Sequence, residues 1–244
     1  MHNIRNIFRR EFASYFATPL AFVFIVIFLV FAGIFTFFVR DFYRTGQADL
    51  APFFTDQPWL YLFLMPALSM GLWSEERKSG SIELLMTLPV TLWQAVVGKF
   101  LAAWAFAGLT LALTFPIWIT VNYLGDPDNG VIVAAYVGSF LTAGAYLAVG
   151  SILSAATRSQ VIAFIFTAVV CFLLLLCGWQ PLLDPLNSVL PQALVDAIAS
   201  LSFMTHFNSV SKGVIDLRDL FYFGTLIAAS LAATAIVLDM KKAN

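Results

Sequence analysis

The chain has 244 residues, of which 61% are hydrophobic and 11% charged, against roughly 25% charged in soluble domains, so water is not its main solvent. Its formal net charge is -1 and its thirteen Lys and Arg are scattered, which leaves no basic footprint and sets nucleic acid aside as a partner. Cys171 and Cys177 lie on different faces of one apolar run, a placement that argues against a disulfide between them.

At the N-terminus Ile4, Ile7, Phe8, Phe12, Tyr15 and Phe16 recur at helical spacing while Arg5, Arg9 and Arg10 take other positions. The pattern predicts an amphipathic helix along the inner leaflet, separated by Pro19 from the first long apolar stretch. A frayed basic tail is the alternative. That apolar stretch is about twenty residues long, with no A-x-A site to close it, so it reads as an anchor rather than a cleaved signal.

Crossing about 30 Å of hydrocarbon takes roughly 20 apolar residues in a helix. Six stretches approach or meet that length: Leu20 to Val39, Trp59 to Trp73 (57–74 with its flanks), Phe100 to Tyr123, Val131 to Ala156, Val161 to Trp179 and Leu220 to Leu238. The second is short and contains Pro66, which predicts a kinked helix held by its neighbours. Phe22, Phe24, Phe28, Phe31, Phe35, Phe37 and Phe38 make the first a bulky surface whose default contact is lipid. Ala134, Gly138, Gly144 and Ala148 in the fourth, and Ala228, Ala229, Ser230, Ala232 and Ala233 in the sixth, let helices approach closely. Packing within one bundle is weighed there above a subunit interface.

With six spans and the N-terminus inside, Arg5, Arg9, Arg10, Arg77, Lys78, Lys99, Arg158, Lys241 and Lys242 fall on the inner side. Only Arg40, Arg44, Lys212 and Arg218 fall outside, a bias that puts both termini in the cytoplasm. Between the fifth and sixth spans, Gln180 to Asp219 is too polar to cross. Pro181, Pro185 and Pro191 break its start and Ala193 to Leu201 forms a short helix, giving a partly helical outer segment that is either a cap or a gate.

No Asp, Glu, Lys, Arg or His lies inside the six runs. Ion-coupled transporters place such groups there despite a cost of roughly 2.5 to 3.5 kcal/mol each, so this sequence offers no evident coupling to an ion gradient. His2 and His206 have no H-E-x-x-H context, and His206 reads as a hydrogen-bonding loop residue rather than a metal ligand. Gly98-Lys99 is not a phosphate cradle, because Trp93 and Phe100 occupy the positions a P-loop needs for Gly and for Ser or Thr. The chain is therefore expected to be no enzyme and to bind no cofactor. An intramembrane enzyme is the weakest class, for want of paired catalytic groups.

The connection between the second and third spans carries the most information. In Ser74-Glu75-Glu76-Arg77-Lys78-Ser79-Gly80-Ser81-Ile82-Glu83-Leu84-Leu85-Met86-Thr87-Leu88-Pro89-Val90-Thr91, Gly80 breaks one helix and Ser81 can cap another. Glu83 falls in the new first turn and Pro89 stops it. Thr91 and Gln94 form a capping-box pattern leading into the third span. On these residues alone, an interfacial amphipathic segment and a docking site for a partner are equally supported.

The run Glu75 to Leu85, with Leu88-Pro89-Val90 and Gly98-Lys99, resembles the signature of ABC-2 type permeases. His206-Phe207, Lys212-Gly213-Val214-Ile215-Asp216 and Arg218-Asp219 resemble the outer-loop signature of the gliding-motility-type branch. The resemblance covers essentially all of 1–244 as a single ABC-2 type transmembrane domain in the bacterial inner membrane. It implies an all-α membrane protein: six transmembrane helices, an N-terminal interfacial helix, a cytoplasmic coupling helix between spans two and three, and the partly helical outer segment. It further implies a homodimer above two copies of a separate ABC ATPase, with ATP and magnesium on that subunit. Glu75, Glu76, Arg77, Gly80, Ser81, Glu83, Leu84, Leu85 and Pro89 would serve ATPase coupling. An auxiliary gliding-motility-type protein is a further partner it allows, and the substrate and its binding residues are left undefined. The expected function is that of an exporter permease; the alternative is a non-transporting scaffold that transmits force to an envelope or surface protein.

Overall fold

The computed structural model describes residues 2–40, 42, 49–81, 90–214 and 216–241, and all regular secondary structure among them is helical. In chain order the helices are α1 (His2–Phe16), α2 (Pro19–Ile34, extended by a π turn over Phe35–Val39), α3 (Ala51–Thr55), α4 (Gln57–Ser69) and α5 (Gly71–Ser79). They continue as α6 (Leu92–Ala112), α7 (Phe115–Leu124), α8 (Asn129–Ala156), α9 (Gln160–Leu176), α10 (Gln180–Val189), α11 (Gln192–Ala199), α12 (Phe203–Ser211) and α13 (Leu217–Met240).

Four segments are long and apolar enough to cross a membrane: Ala21–Val39, Leu92–Leu124, Asn129–Ala156 and Leu217–Met240. Of the other two expected stretches, one is the shorter apolar helix α9 with 17 residues, and the other is divided between α4 with 13 residues and α5 with 9, the latter carrying the charged run Glu75-Glu76-Arg77-Lys78.

Helix α8 is the hub, with α4, α5, α6, α9, α12 and α13 packed around it. Small residues allow this, as the fourth-span pattern predicts: a Cβ on Gly144 would lie 2.7 Å from the Trp104 ring, and that ring stacks on Phe140 with centroids 4.5 Å apart. Helix α1 runs lengthwise along the first half of α6, with Ile7 against Gly98 and Tyr15 stacked on Phe106 at 4.9 Å. Its apolar stripe is thus covered largely by protein. In α2 the phenylalanines divide: Phe22 and Phe38 are exposed, whereas Phe28 is buried and stacks on Tyr61.

Three breaks shape the bundle. The expected kink in the second span falls at Met70, one turn after Pro66, and Ser154 on α8 repairs it. Ser154 Oγ accepts from the backbone N–H of Trp73 (3.0 Å) and of Ser74 (3.2 Å) and donates to the Met70 carbonyl (2.8 Å). These are backbone groups that an unbroken helix would pair internally. The third span, expected as one helix, is broken between Ala112 and Phe115, because Pro116 brings no N–H and is accommodated in the first turn of α7. Thr114 caps this break sideways, donating to Leu111 O and sharing a 2.9 Å hydrogen bond with Tyr136. In the outer segment Pro181 and Pro185 lie inside α10 rather than before a helix; Pro181 occupies the first turn, where an N–H has no helical partner to lose.

Candidate functional site

Of the residues singled out by sequence, the described ones, Glu75, Glu76, Arg77, Gly80 and Ser81, fall at the end of the bundle where α5 stops. Gly80 ends α5 with φ of 72°, a left-handed conformation that favours glycine, and a Cβ there would meet no atom within 4 Å. The position is therefore set by backbone geometry rather than by crowding. Ser79 and Ser81 share a 2.9 Å hydroxyl hydrogen bond across it. On the α6 side, the predicted capping box is formed: Thr91 Oγ1 accepts from Gln94 N–H, and Thr91 N–H donates to Gln94 Oε1 at 3.2 Å. The same Gln94 oxygen accepts from Asn3, so α1 is tied to the start of α6. Glu83, Leu84, Leu85 and Pro89 lie outside the described residues.

The centre of this end is Lys99, only 5% exposed. Its Nζ pairs with Glu76 Oε1 at 2.7 Å, donates to the Leu72 carbonyl at 2.9 Å, and lies 3.8 Å from Glu11 Oε2 and 5.0 Å from the Trp73 ring centroid. One buried cation thus joins α1, α5 and α6. The burial follows from register: Lys99 falls four residues from Ala95 and from Ala103, both buried, so it shares their face of α6. Glu11 falls four residues from Ile7 and from Tyr15 on the packed stripe of α1. Burial, with the charge of Glu11, pushes the Tyr15 hydroxyl's pKa above its ordinary range.

Of the expected coupling residues, Glu75 is exposed, whereas Glu76 and Arg77 are engaged within the chain. Arg77 donates to the Ala155 carbonyl at 2.7 Å, the end of α8 where unpaired carbonyls favour a cation. Partial burial and the nearby charge of Arg158 lower its guanidinium pKa. Trp73, fully buried between these contacts, donates its indole N–H to Ser151, whose hydroxyl lies 3.4 Å from that of Thr234 on α13. Movement of α5 is therefore tied to α1, α6, α8 and α13 through named side chains. Lys99 and Glu11 were not identified as partners by sequence reasoning, although a charge on each packed stripe was visible in the register.

At the opposite end, His206 lies on α12 rather than in a loop. Its Nδ1 is 2.6 Å from Asp219 Oδ1 and its Nε2 is 3.0 Å from the Ser200 carbonyl. The ring stacks on Tyr222 with centroids 3.9 Å apart. After the π turn that extends α2, Arg40 grips Asp56 through two hydrogen bonds, Nε to Oδ2 at 2.7 Å and Nη2 to Oδ1 at 2.6 Å, which raise the Arg40 pKa. Among the described residues no group of three or more His, Cys, Asp or Glu is placed to hold a metal ion.

A helical chain with crossing-length apolar segments and a charged joint beside its Gly80 connection agrees with the outcome of comparison with known proteins. The model of the ABC-2 family transporter protein matches residues 5–240. No curated protein matches the chain. With its apolar helices and this near-complete match, the chain belongs to the ABC-2 family of transporter membrane proteins and is a multi-pass membrane protein.

Proposed function

We propose that the chain is the permease subunit of an ATP-driven exporter, powered by a separate ATPase that acts on the connection between α5 and α6. Family membership supports this reading, since ABC-2 permeases normally work with an ABC ATPase. The single observation that carries it further is the Lys99 joint. The helices on either side of the 82–89 segment are locked to one another and to α1, so a displacement applied between them passes into the bundle as a rigid-body movement. In this reading Glu75 contributes to the docking face, while Glu76 and Arg77 brace it from within. The Glu75 to Pro89 connection takes the coupling role, two copies of the permease stand on two ATPases, and both termini are cytoplasmic in the bacterial inner membrane. The gliding-motility-type branch and an auxiliary extracytoplasmic protein belong to the same proposal.

Affinity purification of the intact chain from its native membrane tests it. An ABC ATPase is expected to co-purify in equimolar amount, and charge reversal at Glu83 is expected to release it or to uncouple its hydrolysis. Gly80→Ala should weaken coupling more than Gly80→Asn, because asparagine tolerates the left-handed backbone. Purification without any ATPase, or unchanged coupling in the Glu83 and Gly80→Ala variants, would sink the reading. A complex that hydrolyses ATP, moves no lipid, peptide or ion, and alters an extracytoplasmic protein would instead identify a force-transmitting scaffold.

A further inference from the structure

The His206 end contains a buried acid–base pair that the exporter reading does not use. His206 and Asp219 are 7% and 5% exposed, and the pair links the short helix α12 to the first turn of α13. The protonation of the pair follows from its partners. A carbonyl oxygen only accepts, so the 3.0 Å contact to Ser200 requires a hydrogen on Nε2. Nδ1 faces a carboxylate oxygen at 2.6 Å, and two lone pairs at that distance repel unless a proton lies between them. Whether drawn as imidazolium with carboxylate or as imidazole with carboxylic acid, the pair holds one proton more than neutral histidine with ionised aspartate.

The surroundings leave that proton no substitute. Asp219 Oδ2 is buried without a hydrogen-bond partner. On the elements packed against α12, the other titratable groups are Tyr222, Arg218 and Asp239 on α13, Tyr136 and Tyr146 on α8, Cys171 on α9 and Tyr61 on α4, while α3 carries none. Tyr222 is committed to the Leu201 carbonyl at 2.6 Å, Tyr61 to Ser139 and Tyr146 to the Pro58 carbonyl. Arg218 is exposed, and Asp56, which precedes α4, is paired with Arg40.

We propose that His206 and Asp219 form a one-proton latch that holds α12 both to α13 and to the Ser200 carbonyl, closed while the pair holds its proton and opened on one side when that proton passes to water. The latch rests on the contacts of this chain and not on the exporter reading. Its sign is fixed by the geometry: raising the pH removes the proton and leaves neutral histidine a single N–H for two acceptors, so that one of the Asp219 and Ser200 contacts becomes a repulsive facing of lone pairs and α12 loosens.

The full-length chain in lipid nanodiscs, carrying His2→Gln so that one imidazole is left, tests the latch by nitrogen-15 NMR of the ring and by hydrogen exchange of the α12 amides. Both ring nitrogens are expected to be protonated, or Nδ1 to share the Asp219 proton, wherever α12 is protected. Protection, corrected for the intrinsic pH dependence of exchange, should fall at least tenfold as pH rises and that signal is lost. Asp219→Asn offers an amide donor to an unprotonated Nδ1, so it should keep α12 protected and make that protection independent of pH. Either ring nitrogen without a held or shared proton while α12 stays protected, or the same pH response in wild type and Asp219→Asn, overturns the proposal. The wild-type spectrum decides alone if the variant does not fold.

Discussion

Lys99 concentrates more structural consequence than any other described side chain at its end of the bundle. Removing one partner from a buried ion pair costs about 3 to 5 kcal/mol, because the survivor remains charged and unpaired. Glu76 and Glu11 side chains are each 21% exposed, so water screens part of that loss. Lys99→Met is therefore expected to destabilise the chain by about 2 to 3 kcal/mol, read as a lower midpoint of thermal unfolding in detergent. The carboxylates and not the lost packing should carry the effect: Lys99→Met with Glu76→Leu should recover a substantial part of the midpoint. A double variant no more stable than Lys99→Met alone would show that the joint is not electrostatic. The charge on each stripe was legible in the sequence, since Lys99 is in register with Ala95 and Ala103, and Glu11 with Ile7 and Tyr15. Their meeting was not legible. It depends on α1 running along α6, and a sequence separation of 88 between Glu11 and Lys99 (99 less 11) carries no local signal of that approach.

At the scale of elements, the breaks matter as much as the helices. Ser154 lets α4 and α5 turn at Met70 without stranding two backbone donors, and it fixes α5 to α8 at the same place. Ser154→Ala removes that acceptor while changing almost no volume. The expected cost is about 1 to 3 kcal/mol, with faster hydrogen exchange confined to α5 and unchanged exchange in α13. Uniform loosening of the whole bundle would contradict a local clip. Sequence showed where a break belonged, because Pro66 stands in an apolar run and Thr91 with Gln94 announces the start of α6. It did not show the break at Pro116, where unbroken hydropathy on both sides hides a change of helix, nor the inclusion of Pro181 and Pro185 in α10. Hydropathy reports how apolar a window is, whereas both outcomes are decided by a few backbone hydrogen bonds and by the side chains available to replace them.

Across the whole molecule the relative direction of the helices bears on the number of crossings, and experiment can count them. Tyr61 meets Ser139, and Arg77 meets Ala155, so α4–α5 runs in the same sense as α8 over sixteen of its positions (155 less 139), or about 24 Å at 1.5 Å per residue. If α8 crosses the bilayer, α4–α5 crosses with it. Helix α9 begins three residues after α8 ends and packs back on it; its 17 residues span about 25 Å, short of the usual 30 Å by an amount that local thinning accommodates. On that reading the bundle would have six crossings against the four long segments, and six differ from four in a measurable way. In a background with Cys171→Ser and Cys177→Ser, single cysteines at Ser14, Asp126, Arg158 and Gln192 report sidedness to an impermeant thiol reagent. Six crossings place Ser14 and Arg158 on one side and Asp126 and Gln192 on the other. If only the four long segments cross, Asp126 joins Ser14, and Arg158 moves to the side of Gln192. Arg158 labelling together with Gln192 would thus reject the six-span bundle, and with it the assignment of the Lys99 joint to the face where an ATPase would bind.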